Sequence, residues 1–277
     1  MKNILLLTDF SKNSINAIRY ALQLFENKSY EFFMLHVQSS STYTTDDLIA
    51  AGNSSVYSAI VKKAKHKLSK LITRLEKEFK NENFSFQPLI DYDALTDAIN
   101  QVITSKNIDM IVMGSNGVTG AKEVVFGSNT INVIRKVDCP TLVIPEKFEY
   151  KKPNDILLPL DVFDAMSGEA FNYIVKFTKQ FSKTLHVLRI KPHAEDSKEE
   201  KNDKEHINYF LKETDYKYHI INTVPIPHVV SCYSQTYNID LIALLVQKEN
   251  FFERFFTGSS TTQITNKIKV PLLISHS

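Results

Sequence analysis

The chain has 277 residues, of which 43% are hydrophobic and 23% charged, and its formal net charge at pH 7 is +2. This composition is typical of a globular protein with one large or two ordinary domains. The near balance of charge gives no argument for binding to nucleic acid or to an anionic membrane. Two cysteines do not make a disulfide framework, and the opening apolar run ends at Thr8 and Asp9, too early for a signal peptide. We therefore expect a cytoplasmic protein.

The first half alternates strand and helix signals from its first residues. ILLLT predicts a strand buried on both faces, and Ser11 is placed to cap a helix in which Ile15, Ile18 and Leu22 recur at helical spacing. The later predicted elements are a strand at 32–37, a helix at 61–79, a strand at 84–90, a helix at 95–103, a strand at 110–114, a helix at 129–135 and a strand at 141–144.

The second half of the chain repeats the first. ILLLTDF (4–10) matches ILLPLDV (156–162) at an offset of 152, and NIDMIVM (107–113) matches NIDLIAL (238–244) at an offset of 131. MLHV (34–37) matches TLHV (184–187) at an offset of 150, which makes His36 and His186 equivalent. We predict two domains, residues 1–147 and 153–277. Each is expected to be an α/β domain, so that the chain holds two tandem doubly wound, mostly parallel five-stranded sheets with helices on both faces.

Glycine is concentrated in one segment of the first half. The chain has seven glycines, and four of them lie between 114 and 127, in GSNGVTGAKEVVFGSNT. Gly114 ends a predicted strand and Gly127 precedes a predicted helix, whose N-terminus offers free N–H groups and partial positive charge to a phosphate. The segment has neither Walker A nor Rossmann spacing. Binding of a phosphate-bearing ligand is the favoured interpretation, and glycines that only shape a tight loop are the alternative.

These motifs resemble one known family. The spacing Gly114-x2-Gly117-x9-Gly127-Ser128 is similar to the signature of ATP-binding universal stress proteins, and ILLLTDFS, the LHV strand and CPTLVIP resemble that family along nearly the whole first domain. The resemblance reaches the second domain through LLPLD, LHV and TGSS. It implies an adenine nucleotide α-hydrolase-like fold for both domains.

The resemblance also implies a binding site for ATP, with or without Mg²⁺, in the first domain. Asp9 and Val37 would meet the adenine, with Thr8 beside them, and Met113 and Gly114 would flank the ribose. The phosphates would lie against a larger group at the glycine-rich loop and helix start: Gly117, Gly127, Ser128, Asn129 and Thr130. No catalytic residue and no metal ligand is assigned.

The second domain keeps less of the loop. At an offset of 131, Gly114 becomes Leu245, Gly117 becomes Lys248 and Gly120 becomes Phe251. Gly258-Ser259 remains, and we interpret it as a helix cap, with an anion site near Lys248 as the alternative. We therefore expect a degenerate second domain and one nucleotide per chain.

The function implied is that of an ATP-binding, regulatory stress-response protein with little or no catalysis. A slow ATPase or nucleotidyl-transfer enzyme is one alternative, although the loop brings no evident Mg²⁺ carboxylate or arginine to the phosphates. A nucleotide-free interaction module is the other. The closing strands TLVIP (141–145) and LLISH (272–276) are apolar, and we expect them to meet so that the domains form an internal pseudo-dimer, with a homodimer as a further option. No nucleic acid or membrane partner is expected.

Overall fold

The structure is a computed structural model that describes residues 2–38, 53–115, 126–161, 164–191, 198–246 and 269–276. The chain divides into two compact units. The first comprises Met1–Gly114 and Ser128–Cys139, and the second comprises Ser115–Gly127 and Pro140–Ser277. Within the described ranges, no helix combines the length and the apolar character that crossing a membrane requires.

The first unit is built on four parallel strands in the order β3-β2-β1-β4. Its elements in chain order are β1 (Asn3–Leu7), α1 (Lys12–Leu24), β2 (Tyr30–Val37), α2 (Asn53–Glu78), β3 (Phe84–Asp91), α3 (Leu95–Lys106), β4 (Met110–Gly114) and α4 (Ser128–Lys136). The chain moves outward from β1 to β3 and then returns to β4 on the other side of β1. Strand order therefore reverses between β1 and β4, and the carboxyl edge beside such a reversal is where doubly wound sheets bind ligands.

The core of the first unit follows from its apolar runs. Ile4 to Leu7 are buried, as expected for a strand covered on both faces. The ring of Phe32 in β2 lies 5.0 Å from Phe84 and 5.5 Å from Phe86 of β3, between ring centroids. These contacts pack β3 against β2 near the amino ends of the two strands.

The second unit has the strand order β5-β10-β9-β6-β7-β8. Its elements are β5 (Thr141–Ile144), β6 (Asp155–Leu160), α5 (Gly168–Phe181), β7 (Thr184–Lys191), α6 (Lys198–Phe210), β8 (Asp215–Asn222), α7 (Ile226–Thr236), β9 (Leu241–Val246) and β10 (Leu272–His276). All its pairings are parallel except that of β5 with β10, which is antiparallel. The predicted α/β class with mostly parallel strands is thus confirmed.

The two closing strands meet, as the sequence predicts. Leu272 pairs with Val143 and Ile274 with Thr141. This pairing places β5, the last strand of the first repeat, in the second unit. The boundaries 1–147 and 153–277 describe the repeat in the sequence and stay a prediction.

The register of the strands corrects one equivalence. Leu7 pairs with Leu35, whereas Pro159, its equivalent in the repeat, pairs with Leu188. The second strands therefore correspond at an offset of 153, and the predicted offset of 150 is wrong. The position of His36 is taken by Arg189, while His186 lies three residues earlier, buried and bonded through Nε2 to Oδ1 of Asp155 at 2.8 Å. The motif LHV misleads because short apolar strands match at several registers.

Candidate functional site

The carboxyl end of β1 turns sharply into α1. The N–H of Thr8 donates to the carbonyl of Leu35 (2.9 Å), and the N–H of Phe10 donates to Thr8 Oγ1 (3.0 Å). Phe10 has a φ of 65°, in the left-handed region. Ser11 then caps α1, since its Oγ accepts the N–H of Ser14 at 3.1 Å. Thr8, a predicted site residue, is buried and anchors this turn.

Asp9 stands at the tip of the turn with an exposed side chain. Its Oδ1 accepts the N–H of Ser11 at 2.9 Å. What burial it has raises the pKa of Asp9, but hydrogen bonds from Ser11 and Ser14 outweigh that effect and hold the pKa below its ordinary value. Asp9 therefore offers an ionised carboxylate, which can accept hydrogen bonds from N–H or O–H groups.

His36 supports the same turn from β2. Its Nδ1 donates to the carbonyl of Thr8 at 2.8 Å, because a carbonyl oxygen can only accept. Its ring packs against Phe10 with centroids 4.4 Å apart, and Lys67 of α2 lies 5.6 Å from the centroid of Phe10. Val37, the next residue, is half-buried at the end of β2, in register with Asp91. No catalytic role was predicted for His36, and its bond to Thr8 could not be foreseen because the two residues are distant in the sequence.

Gly114 lies in close contact with Asn13. A Cβ at this position would come within 2.8 Å of Asn13 Nδ2 and 3.1 Å of the Asn13 carbonyl. A side chain at position 114 would therefore displace the Asn13 side chain and crowd its carbonyl in the first turn of α1. The carbonyl of Gly114 also accepts a hydrogen bond from Thr130 Oγ1 at 3.4 Å. The structure thus brings the N-terminal turns of α1 and α4 to one glycine.

The remaining predicted residues divide into three groups. Met113 is buried in β4, and Thr130 is buried with its hydroxyl bonded to Gly114. Ser128 and Asn129 are exposed in the first turn of α4, and Gly127 precedes them, half-buried. Gly117 lies outside the described residues. The roles of all these residues toward a ligand stay predictions.

The second unit is different at the equivalent edge. Asp161, the repeat equivalent of Asp9, is only 5% exposed, and the nearby Asp164 is 4% exposed. Leu245, which replaces Gly114, is buried. Lys248, Phe251 and Gly258-Ser259 lie outside the described residues. Arg189, which is buried beside Asp161, was not predicted from the sequence. A charged residue inside the apolar run TLHVLRIK was the available signal.

The acidic and histidine residues in the described ranges do not gather into a metal centre. Within the part of the chain that the structure describes, there is no group of three or more His, Cys, Asp or Glu side chains that could hold a metal ion. Asp91 and Asp93, at the end of β3, hold a turn instead. Oδ1 of Asp91 accepts the N–H of Asp93 at 3.0 Å, and Oδ2 of Asp93 accepts from Gln101 at 3.1 Å.

The reversal of strand order between β1 and β4 defines a doubly wound α/β protein. The glycine at the end of β4 and the two helix starts beside it lie at the carboxyl edge, where such proteins bind ligands. The chain belongs to the universal stress protein family, whose sequence model matches residues 1–145, just over half of its length. It is 29% identical over 159 residues to a universal stress protein of Methanocaldococcus jannaschii, covering 53% of this chain and 96% of that protein.

Two solved structures extend the likeness to the whole chain. A universal stress protein from Archaeoglobus fulgidus superposes with a TM-score of 0.72 at 17% identity, over 99% of this chain and 98% of that one. A putative universal stress protein from Pseudomonas aeruginosa gives a TM-score of 0.63 at 12% identity, over 100% and 93%. At such identities these likenesses establish the shared fold and leave function to be argued from the site.

Proposed function

We propose that the predicted first domain, residues 1–147, binds one adenine nucleotide, ATP with or without Mg²⁺, and that the protein is a cytoplasmic regulator with little or no catalysis. The observation that carries the proposal is the convergence of two helix N-termini on Gly114. Asn13, in the first turn of α1, and Thr130, in the first turn of α4, both contact that residue. Helix N-termini carry unpaired N–H groups and partial positive charge, which favours phosphate at the start of α4, whereas Ser11 already caps α1.

The exposed groups around this point suit the rest of the ligand. Ser128 and Asn129 present exposed side chains in the first turn of α4. Asp9 presents its carboxylate from the turn before α1. Hydrogen-bond donors at the start of α4 would suit the phosphates, and the carboxylate of Asp9 would accept a hydrogen bond from the amino group of adenine. Gly117 and Gly127 are proposed to let the backbone approach the phosphates.

Isothermal titration of ATP into the purified protein tests the proposal. We expect one site per chain, since Leu245 fills the position that Gly114 leaves bare in the first unit. Two equivalent sites, or no binding by a protein shown to be free of bound nucleotide, would contradict it. Mass spectrometry of ligand released from the purified protein checks for prior occupancy, and a steady-state phosphate-release assay separates a binder from an ATPase.

The assembly proposal is separate. We propose that the two repeats form an internal pseudo-dimer through the pairing of β5 with β10. Small-angle scattering tests this. A compact particle is expected, and an extended, two-lobed chain would contradict it.

A further inference from the structure

His36 and Arg189 occupy the same register position in the two units and perform the same local task. His36 donates through Nδ1 to the carbonyl of Thr8, at the end of β1. Arg189 donates through Nη1 to the carbonyls of Asp161, at the end of β6, and of Asp164, the latter at 2.9 Å. Each side chain therefore ties the second strand of its unit to the turn after the first strand.

The turn after the first strand differs between the two units in the exposure of its carboxylates. Beside His36, Asp9 remains exposed. Beside Arg189, which is itself 1% exposed, Asp161 and Asp164 are both buried. The guanidinium thus lies against a turn whose carboxylates are buried, whereas the imidazole lies against a turn whose carboxylate is exposed.

The positive charge of Arg189 is neutralised by Asp203 of α6, the helix that follows its strand. Its Nε donates to Oδ2 of Asp203 at 2.8 Å and its Nη2 to Oδ1 at 2.6 Å, a bidentate pair with α6. The hydroxyl of Tyr218 in β8 donates to Oδ2 of Asp203 at 2.7 Å. All three guanidinium nitrogens are therefore bonded within the unit. A ligand would have to break charge-assisted hydrogen bonds in a buried site, where an unpaired charge is very costly.

The corresponding helix of the first unit contributes the opposite charge. Lys67 of α2 is exposed and lies over the ring of Phe10, which packs on His36. A cation close to an open carboxyl edge suits an anionic ligand, whereas Asp203 suits a buried arginine.

We propose that the residue at this register position, besides the glycine or leucine at the end of the fourth strand, controls whether a unit accepts a ligand: His36 keeps the carboxyl edge of the first unit open, and Arg189, paired with Asp203, fills that of the second. For the first unit this inference rests on the proposed function. For the second unit it rests only on the buried network, which can be tested without any ligand.

The ligand-free test is hydrogen–deuterium exchange of the full chain, followed at the Asp161 amide, which donates to Oδ2 of Asp164 at 2.8 Å. Arg189→Lys removes the bidentate fork but keeps the charge. We expect exchange at this amide to accelerate by about tenfold or more, the effect of losing one charge-assisted hydrogen bond. Tyr218→Phe, which removes only the hydroxyl, should give a smaller acceleration and remains informative if Arg189→Lys does not fold.

The matched control is the double variant Lys179→Ala and Glu213→Ala, which removes another ion pair of the same unit. Its contact of 3.4 Å is longer than the 2.6 Å between Arg189 and Asp203, and Glu213 is far more exposed than Asp203. The double variant should leave the Asp161 amide unchanged, because exposed pairs contribute little. Unchanged exchange in both Arg189→Lys and Tyr218→Phe would overturn the proposal. So would an equal acceleration in the control.

The ligand test is ATP titration of His36 variants. His36→Asn keeps an N–H donor for the Thr8 carbonyl and should hold affinity within about threefold, whereas His36→Arg should lose about tenfold or more because it fills the edge beside Lys67. A folded His36→Arg variant that binds like the wild type would overturn the proposal. Failure of the wild type itself to bind ATP would count against the proposed function, and the exchange test would still decide the closure of the second unit.

Discussion

Replacing Asp164 with asparagine should make the protein more stable at neutral and alkaline pH. Burial raises the pKa of Asp164 from 3.8 to about 7, and the neighbouring Asp161 carboxylate adds to the rise, against smaller opposing effects of the Asp161 N–H and Arg189. The folded protein therefore holds this proton more tightly than the unfolded chain. The stability linked to the proton is fully present below pH 3.8 and is lost as the pH rises to about 7.

The size of the effect follows from the same pKa values. Each pH unit between the unfolded and folded pKa costs about 1.4 kcal/mol, so the full loss is on the order of 4 kcal/mol above neutrality. More than about half of it should develop between pH 5 and pH 8. Asparagine carries no charge at any of these pH values, and its Oδ1 can still accept the N–H of Asp161. The free energy of unfolding of the variant should therefore rise steadily relative to that of the wild type as the pH increases from 5 to 8.

Urea denaturation followed by far-ultraviolet circular dichroism, at intervals from pH 5 to pH 8, measures the difference. The control is Asp93→Asn, which changes an exposed carboxylate of the first unit and should show no widening gap. A constant difference between Asp164→Asn and the wild type over the whole range would refute the reasoning, and so would a variant that loses stability relative to the wild type as the pH rises.

Three further substitutions test the predicted first domain. Gly117→Val should weaken ATP binding by about tenfold or more in titration while leaving the circular dichroism spectrum intact, because a β-branched side chain keeps phosphate from the backbone; Lys248→Val is the matched control and should bind normally. Gly114→Ala should lower the free energy of unfolding by about 1–3 kcal/mol, since its Cβ would meet Asn13 at 2.8 Å; an unchanged denaturation midpoint would argue against that contact. Ser11→Ala should cost about 1 kcal/mol through loss of the N-cap of α1, and a thermal melt that matches the wild type would contradict this.

Most of the fold could be predicted from signals that are local in the sequence or repeated in it. Ser11 was predicted as an N-cap and accepts the N–H of Ser14 as expected. The offsets of 152 and 131 also agree with the pairing of Ile4 with Met110 and of Ile156 with Leu241. These features depend on residues close in the chain or on long matching segments, which a sequence displays directly.

Features that depend on distant neighbours could not be predicted. Gly114 was predicted to leave room for a ligand. The atoms that crowd a side chain there belong instead to Asn13, about a hundred residues away. The network around Arg189 joins β7, α6 and β8, and no local pattern reports which buried charges will find each other. The offset between the second strands failed for the same reason, because hydrogen-bond register is set by pairing across the sheet.

The antiparallel pairing of β5 with β10 has a consequence for dissecting the protein. Thr141–Ile144 is entirely buried, and its partner strand comes from the last residues of the chain. A fragment ending at residue 147 would keep this strand but lose the partner, leaving a row of free backbone N–H and C=O groups beside an apolar surface. Such a fragment should associate with a second copy through the same strand. Nucleotide binding measured on the isolated half would then describe a dimer that the intact chain has no need to form.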